Sequence, residues 1–419
     1  MIGINVDNKS SFVLITAHYL TAAFSFLVAT ILILLSVPDF LGHYFNPKLL
    51  SITHLVAIGW GVLITMGALY QLLPVIVNAK LFSTKLAIAS YIFLLLGTIL
   101  LPFAFWTFSV GNLIQLAGLT LLIGISLFIV NIFKTPSPKN RPIEYDFILA
   151  ACLWLLITTI IGLLMAFNFE YVFLPLEHLH YLTLHAHIGI LGFFVSLIIG
   201  VSSKLIPMFL LSQTKNNLFL TYSFYLINSS ILLILIDGFI FMNIGRIIFY
   251  AALFISGIIV YLVYIRTIFK NRIRKVLDVP MKKSMYSFVL FFVAILFYCI
   301  TYFTEEGKLK LRMINATALL FFMGFITMLI LGQTFKTLPF IVWLHKYKDS
   351  KNRKVLPKDL YSDRLLTFQM LFFLIGFIVF LMGLVFSFTL LLYLGACMFV
   401  VTAILYCTNI TKIIFHKTY

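Results

Sequence analysis

Long apolar runs broken by brief polar interruptions set the pattern of the whole chain. A helix that crosses a bilayer needs about 20 apolar residues. Twelve runs approach or exceed that length, at about 12–36, 50–76, 86–106, 109–133, 147–168, 180–210, 218–237, 244–268, 286–303, 314–343, 365–387 and 389–413. The connections between them are short, so no stretch is left over for a separate soluble domain. The pattern predicts an all-α polytopic membrane protein, a single transmembrane domain over residues 1–419. Met1–Ser11 holds one lysine, and the run behind it is too long for the apolar core of a cleaved leader, so the first helix is expected to stay in the membrane.

A second pattern lies over the first. His54 is followed by Gly59, Gly67 and Pro74 at +5, +13 and +20, and His187 by Gly192, Gly200 and Pro207 at the same spacing. Leu319 is followed by Gly324, Gly332 and Pro339, again at +5, +13 and +20. The anchors lie 187 − 54 = 133 and 319 − 187 = 132 residues apart. With 22 glycines and 12 prolines in 419 residues, one such match at a chosen register has a chance of about 1 in 10,000. Twelve helices and three copies imply pseudo-symmetric four-helix repeats at about 12–133, 147–268 and 286–413, each motif falling on the second helix of its quartet. The prolines are tolerable where neighbours satisfy the carbonyl each one frees. The glycines would let another helix, or a flat ligand, come close to the backbone.

Composition agrees with the pattern: the chain is 62% hydrophobic and 10% charged, with a mean hydropathy of +1.11, against about 25% charge in soluble domains. A net charge of +17 could suggest nucleic acid, but its distribution points elsewhere. Lys80, Lys85, Lys134, Lys139, Arg141 and Lys215 follow the second, fourth and sixth helices. Arg266 to Lys283 follow the eighth, and Lys346 to Lys358 the tenth. The odd connections are short or acidic, with Asp39, Glu170, Glu177 and Asp237; the exception is the 304–312 connection, where Glu305 and Glu306 accompany Lys308, Lys310 and Arg312. Positive-inside asymmetry then explains the charge without nucleic acid, and puts both termini on the cytoplasmic side of the cell membrane. Cys152, Cys299, Cys397 and Cys407 lie in apolar runs without close pairing, as small buried side chains would.

Ionisable groups inside spans are candidate sites. His54, His178, His180, His185 and His187 gather at one depth on the outer side. At 100° per residue, His185 and His187 point about 200° apart and address two sides of the sixth helix. Neutral imidazole suits heme iron, copper and zinc, so His54, His185 and His187 are the first candidate cofactor and metal ligands, with His178 and His180 behind them. The competing reading is that such histidines hydrogen-bond neighbouring helices or water; it is stronger for His178 and His180, beside Glu177. His18 is expected to be structural, and His43, His345 and His416 to be solvated. Gln71, Lys204 and Lys336 share the +17 position, where the two lysines would snorkel to the headgroups. No Asp or Glu falls in the middle of a run, so a proton relay lacks its usual carriers.

These residues give the chain a resemblance to the catalytic subunit (subunit I) of heme-copper oxidases and their nitric oxide reductase relatives. His54 with Gly67-Ala-Leu-Tyr-Gln-Leu-Leu-Pro74, and His185-Ala-His187 with Gly189, Gly192, Gly200 and Pro207, carry it. The resemblance implies twelve helices in three four-helix arcs, a heme ligand on the second helix at His54, and a His-x-His motif giving one imidazole to each of two hemes. The chain departs from the family in its placement. His-x-His stands on the sixth helix, the tenth reads Asn315-Ala-Thr317-Ala-Leu319, and the seventh lacks the histidine pair of the family's copper centre. The family's complete heme-heme-copper site cannot be assembled from its own positions here. What the resemblance implies is binding of heme, or heme plus copper, for electron transfer or for NO or O2 chemistry or sensing. His54 and His187 would be axial ligands and His185 would be left for a second heme or metal. A redox partner or further respiratory subunits would accompany the lipid bilayer as partners. The alternatives are a permease or chaperone for copper, heme or another small solute, and a non-catalytic subunit of a respiratory complex.

Overall fold

The computed structural model describes residues 9–137, 139, 141–213, 217–241, 244–277, 279–348 and 355–417. Lys215, Lys351, Arg353 and Lys354, counted above among the basic connections, lie outside the described residues, as does most of the amino-terminal stretch ahead of the first helix. Among the described residues, twelve helices are long and apolar enough to cross a membrane. They are α1 Ser11–Leu35, α2 Pro47–Val77, α3 Thr84–Trp106, α4 Asn112–Lys134, α5 Ile143–Tyr171 and α6 His178–Leu210. There follow α7 Leu218–Phe241, α8 Ile247–Lys270, α9 Pro280–Phe303, α10 Lys308–Lys346, α11 Asp363–Phe386 and α12 Thr389–Ile414. Among the described residues no strand forms, only an isolated bridge between Ser212 and Arg272.

Local chemistry sets the helix ends. Asn46 caps α2, its side-chain oxygen accepting from the amides of Lys48 and Leu49, with Pro47 at the first helical position where its missing N–H costs nothing. Ser362 caps α11 through the amide of Leu365. Several ends run past the apolar runs that announced them. Helix α5 takes in Glu144 and Asp146 at its start, and Glu170 at its end, where Gln115 Nε2 donates to the Glu170 carboxylate at 2.8 Å. Helix α7 continues through Asp237 to Phe241.

The chain divides into two compact units, one of residues 72–97 and 110–277, the other of 3–71, 98–109 and 278–419. In the second unit the glycines at +5 and +13 admit another helix, the preceding one at Gly59, Gly67 and Gly332 and α11 at Gly324. A Cβ on Gly59 would lie 2.9 Å from the Ser25 Cβ, and one on Gly67 2.6 Å from the His18 Cβ. A Cβ on Gly332 would meet the Ser284 hydroxyl at 2.9 Å, and one on Gly324 the ring of Phe377 at 2.9 Å and Leu290 at 3.5 Å. The first unit does the same with α5, since Cβ atoms on Gly192 and Gly200 would meet the Trp154 and Phe147 Cβ atoms at 2.7 and 2.8 Å. Close approach to another helix was the expected use of these glycines.

Each motif helix also changes its winding at the same place. Leu55–Val62, Ile188–Val195 and Leu320–Thr327 are π-helical, eight residues each, and each begins one residue after His54, His187 or Leu319. The wider i→i+5 turn takes in extra residues and offsets the face before it from the face after it. At +6 in each segment a large ring is fully buried: Trp60, Phe193 and Phe325. The first unit repeats a further contact. Ser90 Oγ donates to the Gly124 carbonyl at 2.7 Å, and Ser223 Oγ to the Gly257 carbonyl at 2.9 Å. Both residues are displaced by 133 positions, the spacing of His54 and His187.

Pro207 would orphan the carbonyl of Ser203, four residues earlier; the Tyr264 hydroxyl donates to that oxygen at 3.4 Å. Large apolar side chains such as Phe24, Phe103 and Phe303 stand exposed along the spans, as lipid contact requires. The cysteines depart in part from expectation. Cys152 is buried and Cys407 is half-buried, its thiol donating to the Ala23 carbonyl at 3.2 Å, but Cys299 and Cys397 are exposed.

Candidate functional site

His54 and His187 have the same local setting. Each closes the α-helical part of its span just before the π segment. The His54 Nδ1 bonds the Leu50 carbonyl at 2.8 Å and the His187 Nδ1 bonds the Thr183 carbonyl at 2.7 Å, both one helical turn back. A carbonyl oxygen can only accept, so in the neutral ring the proton is on Nδ1 and Nε2 is the basic nitrogen. A metal-ligating histidine needs that arrangement, with the far nitrogen held by a carbonyl and the near one basic. His54 is also stacked on the Phe105 ring, centroids 4.8 Å apart and 27° between planes.

His185 reaches the same tautomer by another route, its Nδ1 donating to the Thr158 carbonyl of α5 at 3.0 Å. Gly162 makes room for this ring, since a Cβ there would lie 3.0 Å from the His185 Cε1. His187 faces α7 and α8 instead, where it lines a small pocket with Thr183, Asp237 and Tyr250. The two rings therefore address opposite sides of α6, as their 200° separation requires. The donor chemistry of His54, His185 and His187 fits an iron or copper ligand.

The second-tier histidines are engaged differently. His180 donates from Nε2 to the Gly238 carbonyl of α7 at 3.0 Å, which fixes the opposite tautomer. His178 packs its ring against Phe169 at 4.2 Å. Among the described residues no three His, Cys, Asp or Glu side chains come together as a metal cluster. His54 belongs to one compact unit and His178 to His187 belong to the other.

His18 is buried and bonds its own turn, Nδ1 to the Leu14 carbonyl at 2.8 Å, while its Cβ fills the notch at Gly67. This is the structural role expected of it. Of the three histidines expected to be solvated, His43 and His345 are exposed and His416 is half-buried. His345 stacks on Phe12 at 3.9 Å, and His416 Nδ1 meets the Tyr347 hydroxyl at 2.7 Å.

By sequence Asp237 belongs with the acidic connections, yet in the structure it is only 2% exposed and joins the site. Its one charged neighbour among the described ion pairs is Arg246, at 3.5 Å. The missed signal was Asp237-Gly238 ahead of three apolar residues, Phe239 to Phe241, which carry the helix one turn beyond the carboxylate. No protein-family model matches the chain, and no curated protein matches it.

Proposed function

We propose that the chain binds heme, or heme plus copper, and works in electron transfer or in NO or O2 chemistry or sensing. The matched setting of His54 and His187 carries this reading: the same place ahead of a π segment, and the same Nδ1–H bond that leaves Nε2 as the ligand nitrogen. In this reading His54 is an axial ligand to heme, and His185 and His187 supply imidazoles for a second heme or a metal, with His178 and His180 behind them. Bound heme supplies an iron that takes up and gives back one electron. The chain's part is to orient each imidazole through its carbonyl and to keep the site in apolar surroundings.

The oxidase-like arrangement of three four-helix repeats is supported by the equal offsets of the π segments, of the glycines at +5 and +13, and of the buried rings at +6. The basic even connections support a cytoplasmic-membrane protein with both termini inside. In this reading it works beside a redox partner or respiratory subunits.

The test is the absorbance spectrum of protein purified after heme-replete expression. His54→Ala should lose heme or convert a low-spin spectrum to high-spin. A normal low-spin spectrum in this variant contradicts the ligand assignment. A second reading, a permease or chaperone for copper, heme or another small solute, is favoured by the buried Asp237 in the pocket beside His187.

A further inference from the structure

The pocket beside His187 lies entirely within one compact unit, at the histidine-bearing end of α6, the end of α7 and the start of α8. Among the residues that line it are Asp237, His187, Thr183 and Tyr250, whose side chains bear a carboxylate, an imidazole and two hydroxyls. Asp237 is the unusual member. Its side chain is 3% exposed, and neither carboxylate oxygen has a hydrogen-bond partner among the described residues. The Arg246 guanidinium approaches one of these oxygens at 3.5 Å, from a side chain that is itself 61% exposed. A carboxylate enclosed in an apolar span and left without donors needs a cation. Arg246 supplies one only at the rim, outside hydrogen-bonding geometry.

The backbone around Asp237 is built to hold it there. A π-helical turn, Asp237–Phe241, starts at this residue. The next carbonyl, of Gly238, is taken by His180. Gly238 also lets α7 close on α6, since a Cβ there would lie 2.8 Å from the Leu184 side chain. The Thr183 hydroxyl gives its hydrogen to the Leu179 carbonyl at 2.9 Å, which leaves its oxygen as an acceptor.

We propose that this pocket binds a divalent transition-metal ion, Zn2+ or Cu2+, through the Asp237 carboxylate and the His187 imidazole, with the Thr183 and Tyr250 hydroxyls and water completing the shell. The donors select the ion. An imidazole nitrogen disfavours Ca2+ and Mg2+, which take oxygen ligands. Among the described residues the lining carries no sulfur, which disfavours Cu+. Arg246 is the competing cation: it holds the carboxylate's charge when no ion is bound and swings outward when one is. The proposal rests on reading His187 as a ligand, and it assigns that imidazole to an ion rather than to a macrocycle. Heme at His54 is independent of it.

The test titrates Zn2+ into the purified, chelator-stripped full chain and counts bound metal, with Cu2+ electron paramagnetic resonance as a check for nitrogen ligation. The expected result is one equivalent per chain, weakened at least tenfold in both Asp237→Asn and His187→Gln. Arg246→Gln removes the competing charge, and binding should tighten about threefold, as loss of a partly exposed ion pair allows. That gain also separates ligation from a structural ion pair, and it stays readable if Asp237→Asn folds poorly. Wild-type affinity in Asp237→Asn, or weaker binding in Arg246→Gln, would overturn the proposal. Heme measured on the same samples keeps the two readings apart. Metal binding that depends on Asp237 in a heme-free protein ends the heme reading alone, and heme with Asp237-independent metal binding ends this one alone.

Discussion

His54, His187 and His18 all turn their Nδ1 onto the carbonyl four residues behind, but only the first two do so at the start of a π segment. The glycines around them are as exacting as the histidines. A side chain at Gly67 must share space with the His18 Cβ, and one at Gly192 with the Trp154 Cβ. Gly67→Val and Gly192→Val should each cost about 2 kcal/mol through overpacking, read as a lower melting temperature in detergent. An unchanged melting temperature would mean that the helices part freely there. At this scale the chain made the candidate histidines legible, because imidazoles in apolar runs stand out. It hid Asp237, because an average over apolar residues ends a span at the first charge. Only the π turn at Asp237–Phe241 reveals that the helix, and the burial, continue. The partners of His345 and His416 were equally hidden, since they come from residues far away in sequence.

Whole elements show more of the repeat than composition could. The +5, +13 and +20 spacing could be read directly, whereas the eight-residue π segments leave no signature in residue type. The paired serine bonds appear only once the helices are packed: Ser90 to Gly124 and Ser223 to Gly257 tie adjacent helices in the same way. Ser90→Ala and Ser223→Ala should therefore cost similar amounts, about 0.6 kcal/mol each, the scale of interhelical hydrogen bonds in membranes. Matched small shifts in thermal unfolding check this, and a large cost confined to one copy would argue against equivalent roles. The third quartet has kept the glycines and the buried ring at +6 but carries Leu319 where the others have histidine, so its share in the fold outlasts any share in ligation.

For the molecule as a whole, the twelve spans were legible because a bilayer-length run of apolar residues has few other uses, and all twelve runs became long helices. Their ends were less so: α10 runs from Lys308 to Lys346, 39 residues, because charged residues at both ends continue the helix beyond the apolar run. Orientation comes from charge. Single cysteines replacing Lys80 and Arg274 should react with a membrane-impermeant maleimide only in opened cells, and one replacing Asp39 in intact cells. The reverse pattern would invert the topology and put the histidines on the cytoplasmic side.

The central claim is that the chain binds heme, with the imidazole of His54 as an axial ligand. The most direct measurement is the absorbance spectrum of the wild-type protein, oxidised and reduced, after heme-replete expression, with a pyridine hemochrome assay on the same sample. A Soret band that shifts on reduction, with at least one heme per chain, is the result this account predicts. A protein that purifies folded and without a Soret band contradicts it.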